Sequence, residues 1–230
     1  MKKSFFVVAF VGLFGVAAAS QADVISFSAS KALSTTNFTS PLTIGKFDTS
    51  LGTLNSITFQ LDGSIQGVGR AESLNSTASN VTLTLGSILT LKRPDGSTLV
   101  AENPNFSQSF AFTRFDGLRD FGGTSGGSTG TRTAAASDLF TSTSTSDFTL
   151  FSALNGGTID LNLNAVGASR ATGAGNLISA FQTLAAGNVK VTYDYRPTAV
   201  PEPETYAMLL AGIGLLALRR QRKSVNKVLG

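Results

Sequence analysis

Few residues of this chain have the types and spacing that chemistry needs. Gly126-Gly127-Ser128-Thr129-Gly130 fits G-x-S-x-G, the nucleophile elbow in which a strand-to-helix turn presents a serine to a base. The chain contains no histidine. Ser128 therefore lacks its usual base, and the match lies in low-complexity sequence. Asp160-Leu161-Asn162-Leu163-Asn164 fits the first part of a calcium loop. Its sixth position is Ala165, where the loop needs glycine, and its twelfth is Ala171, where it needs glutamate. The leucines alternate as in a strand, so a strand is expected there. Asp116 and Asp120 could serve a calcium site of another kind. Set among Arg114, Phe115, Arg119 and Phe121, they are expected to face solvent or pair with the arginines.

Glycoside hydrolysis needs two carboxylates at a defined separation. Glu72 and Glu102 are the pair to consider, and no motif surrounds either. Zinc would need cysteine or histidine ligands, and the chain has neither. Gly67-Val68-Gly69 lacks the rest of a dinucleotide fingerprint. Tyr193 and Tyr195 alternate with Val191, either as an aromatic platform for sugars or as core packing. No catalytic, cofactor-binding or metal-binding residue is expected, and no cofactor.

The elements that must carry these residues are strands. Val24–Ser28 opens the series. Ser56–Leu61 alternates and runs into Asp62-Gly63, which reads as a turn, with Ile65–Gly69 as the returning strand. Asn80–Leu85 alternates apolar and threonine positions. Ile88–Lys92, Arg93-Pro94-Asp95-Gly96 and Ser97–Ala101 form the clearest hairpin, because proline presets φ and Asp-Gly tolerates the turn. Ser107–Phe115, Phe148–Phe151, Thr158–Asn164 and Val189–Tyr195 complete the set. Leu177, Phe181 and Leu184 fall at helical spacing and predict a short helix over Leu177–Ala186, with Gly187 as its cap. Gly122–Ser146 is rich in Gly, Ser and Thr and reads as a flexible loop, with a turn of helix over Ala134–Phe140. Such a loop could also contact glycans or neighbouring cells. Many short strands between turn signals predict an all-β fold, an antiparallel β-sandwich of jelly-roll-like type over residues 23–199.

Both ends carry targeting sequence. Lys2-Lys3, the apolar run Phe5–Val16 and the small residues Ala17–Ala22 form a secretory signal peptide, expected as a helix. Cleavage is expected between Ala22 and Asp23, with Ala19 as the second choice. At the other end, Val200-Pro201-Glu202-Pro203-Glu204 precedes the apolar run Tyr206–Leu218, which includes Leu209, Leu210, Ile213, Leu215 and Leu216. A basic stop follows with Arg219, Arg220, Arg222 and Lys223, then the short tail 224–230. Thirteen helical residues reach roughly 20 Å against a hydrocarbon core of about 30 Å. A transient hold is expected, with the basic end left in the cytoplasm.

The net charge of +4 belongs to these ends. Residues 23–199 hold eleven basic and twelve acidic side chains, a net charge of −1. No nucleic-acid partner is expected from such a domain. With no cysteine, disulfides contribute nothing although an exported protein permits them.

The Val200–Glu204 motif, the apolar helix and Arg219-Arg220 resemble the PEP-CTERM sorting domain of Gram-negative bacteria. That resemblance implies processing by an exosortase, a membrane-embedded cysteine protease, near the Pro-Glu-Pro motif, after passage through the secretion machinery and signal peptidase. It also implies transient residence in the inner membrane, then the cell surface or an extracellular matrix, with exopolysaccharide as a candidate partner. Pro41-Leu42-Thr43-Ile44-Gly45-Lys46-Phe47-Asp48-Thr49-Ser50-Leu51-Gly52-Thr53-Leu54, the strand Ser56–Leu61 and the closing Val189–Tyr195 resemble choice-of-anchor E domains. These are exported β domains to which no catalytic residues are assigned. The function expected from the whole is structural or adhesive. The alternatives are a carbohydrate-active enzyme or a lectin-like glycan-binding module.

Overall fold

The computed structural model describes residues 22–198, 208–216 and Arg219. Ala22–Pro197 form one compact unit. Its elements are β1 (Asp23–Thr35), β2 (Phe38–Gly45), β3 (Phe47–Asp48), β4 (Gly52–Ser73), β5 (Ser79–Lys92), β6 (Thr98–Glu102) and β7 (Asn105–Phe112). Then come β8 (Gly126–Ser128), β9 (Arg132–Ser142), helix α1 (Thr145–Phe151), β10 (Ser152–Ala153), β11 (Thr158–Gly167), β12 (Arg170–Thr172) and β13 (Leu177–Pro197).

The strands make two large antiparallel sheets. One runs β1-β13-β4, with β8 and β9 sharing the far side of β4. The other runs β12-β5-β11-β2, with β6 and β7 also on β5. β13, the last strand among the described residues, is therefore central to the first sheet, between β1 and β4. Pro41 is tolerated because β2 is an edge strand, where a missing N–H costs no ladder bond. The β5–β6 hairpin forms where the sequence places it: Arg93 N donates to Ser97 O at 2.8 Å, and Gly96 sits at φ +88.

Strict period-two burial along β4 and β13 sends Ile57, Phe59, Leu61 and Ile65 inward, with Val189, Val191 and Tyr193 beside them. They meet Leu42 and Ile44 of β2, Leu89 and Leu91 of β5, and Leu161 and Leu163 of β11 in one core cluster. Phe59 packs edge-on against Phe151 of α1 at 4.8 Å between ring centres. A smaller cluster of Ala71, Val81, Leu83 and Phe112 fills the opposite end.

Four expectations change. Asp62-Gly63 is no turn: β4 runs through it without interruption, paired with β13 and β9. Leu177–Ala186 is strand, because alternation of Phe181, Thr183 and Ala185 toward the interior, paired with β4, outweighs the helical spacing of three apolar residues. Phe148–Phe151 belongs to α1, started by Ser144, whose side chain accepts from Ser146 N. The Gly/Ser/Thr stretch 122–146 holds β8 and the eleven-residue β9. There, pairing to β4 orders a segment whose composition reads as loop, and Ala134–Phe140 is extended.

Gly63 explains its own position. A Cβ on it would lie 1.5 Å from Oε1 of Glu102 and 3.2 Å from Leu89. The glycine makes room for this close approach and forms no turn. Gly63→Ala is expected to destabilise the domain by about 1–3 kcal/mol through overpacking. Urea unfolding of the two proteins measures it, and an unchanged midpoint would show that Glu102 has room to move.

Candidate functional site

The sequence-derived chemistry disperses. Glu72 and Glu102 are both buried, but on different ground. Glu72 is near the end of β4, where its Oε1 accepts from Ser125 Oγ at 2.6 Å. Glu102 lies over Gly63, nine residues earlier on β4, or roughly 30 Å at strand rise. Glycosidase pairs stand about 5–9.5 Å apart, so these two cannot act together. Both oxygens of Glu102 and Oε2 of Glu72 have no hydrogen-bond partner among the described residues. Burial, aided by the negative charges of Asp62 and Asp138, pushes the Glu102 carboxyl up to about 8. That environment holds a neutral acid at pH 7.

Ser128 ends the three-residue β8, and no helix follows it: Gly130 N donates to its hydroxyl, and β9 comes next. The elbow geometry is missing. Asp160, Asn162 and Asn164 ride on β11, where Asp160 accepts from Thr43 Oγ1 at 2.6 Å and Asn164 Nδ2 donates to Thr39 Oγ1 at 2.9 Å. Asp116 and Asp120 cap their own loop. Asp116 accepts from Leu118 N at 3.0 Å, which draws its pKa below the usual carboxylate range, and Asp120 accepts from Gly122 N at 2.8 Å. Among the described residues no group of three acidic side chains could hold a metal. Tyr193 is fully buried and donates to Gly45 O at 2.8 Å, so it is core. Tyr195 packs on Phe47 at 5.0 Å and donates to Asp23 Oδ2 at 3.3 Å. Neither forms a platform for sugars.

A polar constellation escaped the sequence reading. Arg93 clamps Asp147 with Nε to Oδ1 at 2.7 Å and Nη2 to Oδ2 at 2.9 Å, and Ser142 Oγ donates to Oδ2 at 2.5 Å. The guanidinium holds Asp147 below its ordinary pKa. This ties the β5–β6 hairpin to the end of β9 and the start of α1. The partners are 54 residues apart, and no local pattern joins them.

On the outer face of the first sheet, Asp62 accepts from Ser137 Oγ at 2.5 Å, Gln60 Nε2 at 2.8 Å and Asn188 Nδ2 at 3.4 Å. These bonds, Ser137 first, lower its pKa. A shallow depression of about 480 Å³ adjoins it, lined by Asp62, Gly63, Ser64, Ala135, Ala136 and Ser137.

In the tail, residues 208–216 are helical. Leu209, Leu210, Ile213, Leu215 and Leu216 are each at least 55% exposed. A helix apolar on every side finds its stable setting in a core or a bilayer. Among the described residues no helix is long and apolar enough to cross a membrane, so a spanning helix over Tyr206–Leu218 is not shown. Arg219 is also helical. Tyr206, Leu218, Arg220, Arg222, Lys223 and the motif Val200–Glu204 lie outside the described residues, as does the signal peptide up to Gln21. Asp23, on the far side of the expected cleavage, begins β1.

Residues 199–223 match the PEP-CTERM protein-sorting motif. The PEP-CTERM motif implies an exported protein that an exosortase processes. It begins two residues after β13 ends at Pro197. Among curated proteins none matches this chain. Among solved structures the chain is similar to the VP2 subviral particle of infectious bursal disease virus at 12% identity, over 94% of this chain and 54% of that one, with a TM-score of 0.20. It is similar to the Gt strain of the same virus at 14% identity, over 89% and 52% of the two chains, with a TM-score of 0.11. The chain spans about half the length of these viral chains.

Proposed function

We propose that this chain is the precursor of a non-enzymatic structural or adhesive protein of the cell surface or extracellular matrix. In this reading a jelly-roll-like β-sandwich related to choice-of-anchor domains is the cargo. The C-terminal PEP-CTERM signal holds it at the inner membrane until an exosortase cuts near Pro201–Pro203. The observation that carries the reading is the sorting motif placed directly after β13. The dispersal of Glu72 and Glu102 supports a non-enzymatic cargo, since the carboxylate pair of the rival hydrolase has no common cleft. Deleting Pro201–Lys223 is expected to release the protein from the envelope fraction. Unchanged fractionation would sink the sorting reading.

Exopolysaccharide is the proposed partner of the cargo. The depression beside Asp62 favours a glycan-binding variant of the same reading, because small side chains there leave room beside a carboxylate and two amides. Binding to exopolysaccharide that survives Asp62→Ala unchanged would place the contact elsewhere.

A further inference from the structure

Both ends of the β domain leave it at one place. Asp23, the first residue of β1, is the register partner of Tyr195 on β13, and Pro197 is the partner of Gly52. Directly opposed Cα atoms in an antiparallel pair are about 4.5–5.5 Å apart. Two apolar segments are tied to this spot. Eight residues, 198–205, separate Pro197 from the apolar run that starts at Tyr206, and six, 17–22, separate Val16 from Asp23. Fully extended, those links reach at most about 29 Å and about 22 Å.

The surface at this end carries three exposed apolar side chains. Val24 is 60% exposed, Leu51 40% and Leu154 72%. Leu51 and Leu154 top two turns locked together by Thr49 N to Ala153 O at 3.2 Å and Asn155 N to Asp48 Oδ1 at 3.0 Å. A cavity of about 220 Å³ lies in the same end, with Ile25, Phe27, Phe47 and Leu51 in its wall.

We propose that this end of the β domain, through Val24, Leu51 and Leu154, docks on the lipid surface while the chain is still tethered. Covalent links this short raise the effective concentration of the surface to about the millimolar range. Weak apolar contacts then suffice, and they lapse once the tail is cut. The proposal rests on the sorting reading, because the tail supplies the tether. It adds an orientation: the tail end of the sheets faces the bilayer, and the Leu118 loop, near residue 72 of β4, faces away.

The chain contains no tryptophan, so single introduced indoles report without background. Protein freed of its signal peptide (residues 23–230) and carrying Leu154→Trp, or Leu118→Trp as the control, is incorporated into phosphatidylcholine vesicles with and without brominated acyl chains. The Leu154→Trp indole is expected to shift to the blue and to lose at least twofold more emission to bromine than the control. Adding Leu51→Ser should weaken that quenching. Vesicle flotation with equal quenching at both positions overturns the proposal and leaves the sorting reading intact. Failure to float sinks the membrane role of the tail and the docking with it. An indole that stays aqueous on pure lipid but shifts on membranes containing exosortase assigns this end to the enzyme, which also overturns lipid docking.

Discussion

Glu102→Gln is expected to flatten the alkaline side of the domain's stability profile. Glu102 is 7% exposed, and its carboxyl has no hydrogen-bond partner among the described residues and is pushed up to about 8 by burial and by the charges of Asp62 and Asp138. In the unfolded chain its ordinary value is 4.5. Below that value both states hold the proton and Glu102 adds no slope. Between 4.5 and about 8 the folded state keeps a proton that the unfolded chain releases, so stability falls as pH rises. Above about 8 both states are ionised and the loss is complete. Its size is on the order of 3 kcal/mol. Glutamine keeps the shape without the charge. The variant should therefore exceed the parent in urea midpoint at pH 8–9 and approach it near pH 5. Parallel profiles for the two proteins would show that Glu102 is solvated and ionised like a surface carboxylate.

Asp147→Ala should produce the opposite kind of failure. Asp147 receives two bonds from Arg93 and one from Ser142, with 6% of its side chain exposed against 16% for Arg93. Removing the carboxylate strands a half-buried guanidinium and frees the Ser142 hydroxyl. The expected loss is about 3 kcal/mol, at the lower end for breaking a buried pair because Arg93 retains contact with Ser97 Oγ and Thr98 O. Arg93→Ala should cost a similar amount, and the double variant should cost clearly less than the sum, since each single change already breaks the same clamp. The Arg93 bonds lower the folded pKa of Asp147 below 3.8. Its contribution is present above 3.8 and is lost as pH falls through the folded value, so it belongs to the acid limb, while Glu102 shapes the alkaline one. Strict additivity in the cycle would mean that the two side chains are not coupled.

The errors of sequence reading share a cause. Asp62-Gly63 has the local signature of a turn, yet Glu102 of a strand in the other sheet occupies the space above Gly63, and Asp62 is held by side chains of three strands. Leu177, Phe181 and Leu184 are spaced for a helix, and twenty-one register pairs with β4 decide for the strand. Residues 132–142 are too poor in β-formers to read as a strand, but the long β4 offers them an edge. In each case the deciding partner is more than ten residues away.

The sequence by itself determined the C-terminal sorting motif and the all-β class of the domain. Both follow from local patterns: an apolar run with its flanking motif and charges, and period-two alternation over strands such as β11 and the end of β13. The tertiary structure alone decided that Glu72 and Glu102 never meet, that Arg93 finds Asp147, and that the two ends of the domain leave side by side. Those outcomes depend on strand order and register, which come from the packing of faces across the whole chain and leave no mark in any short window of residues.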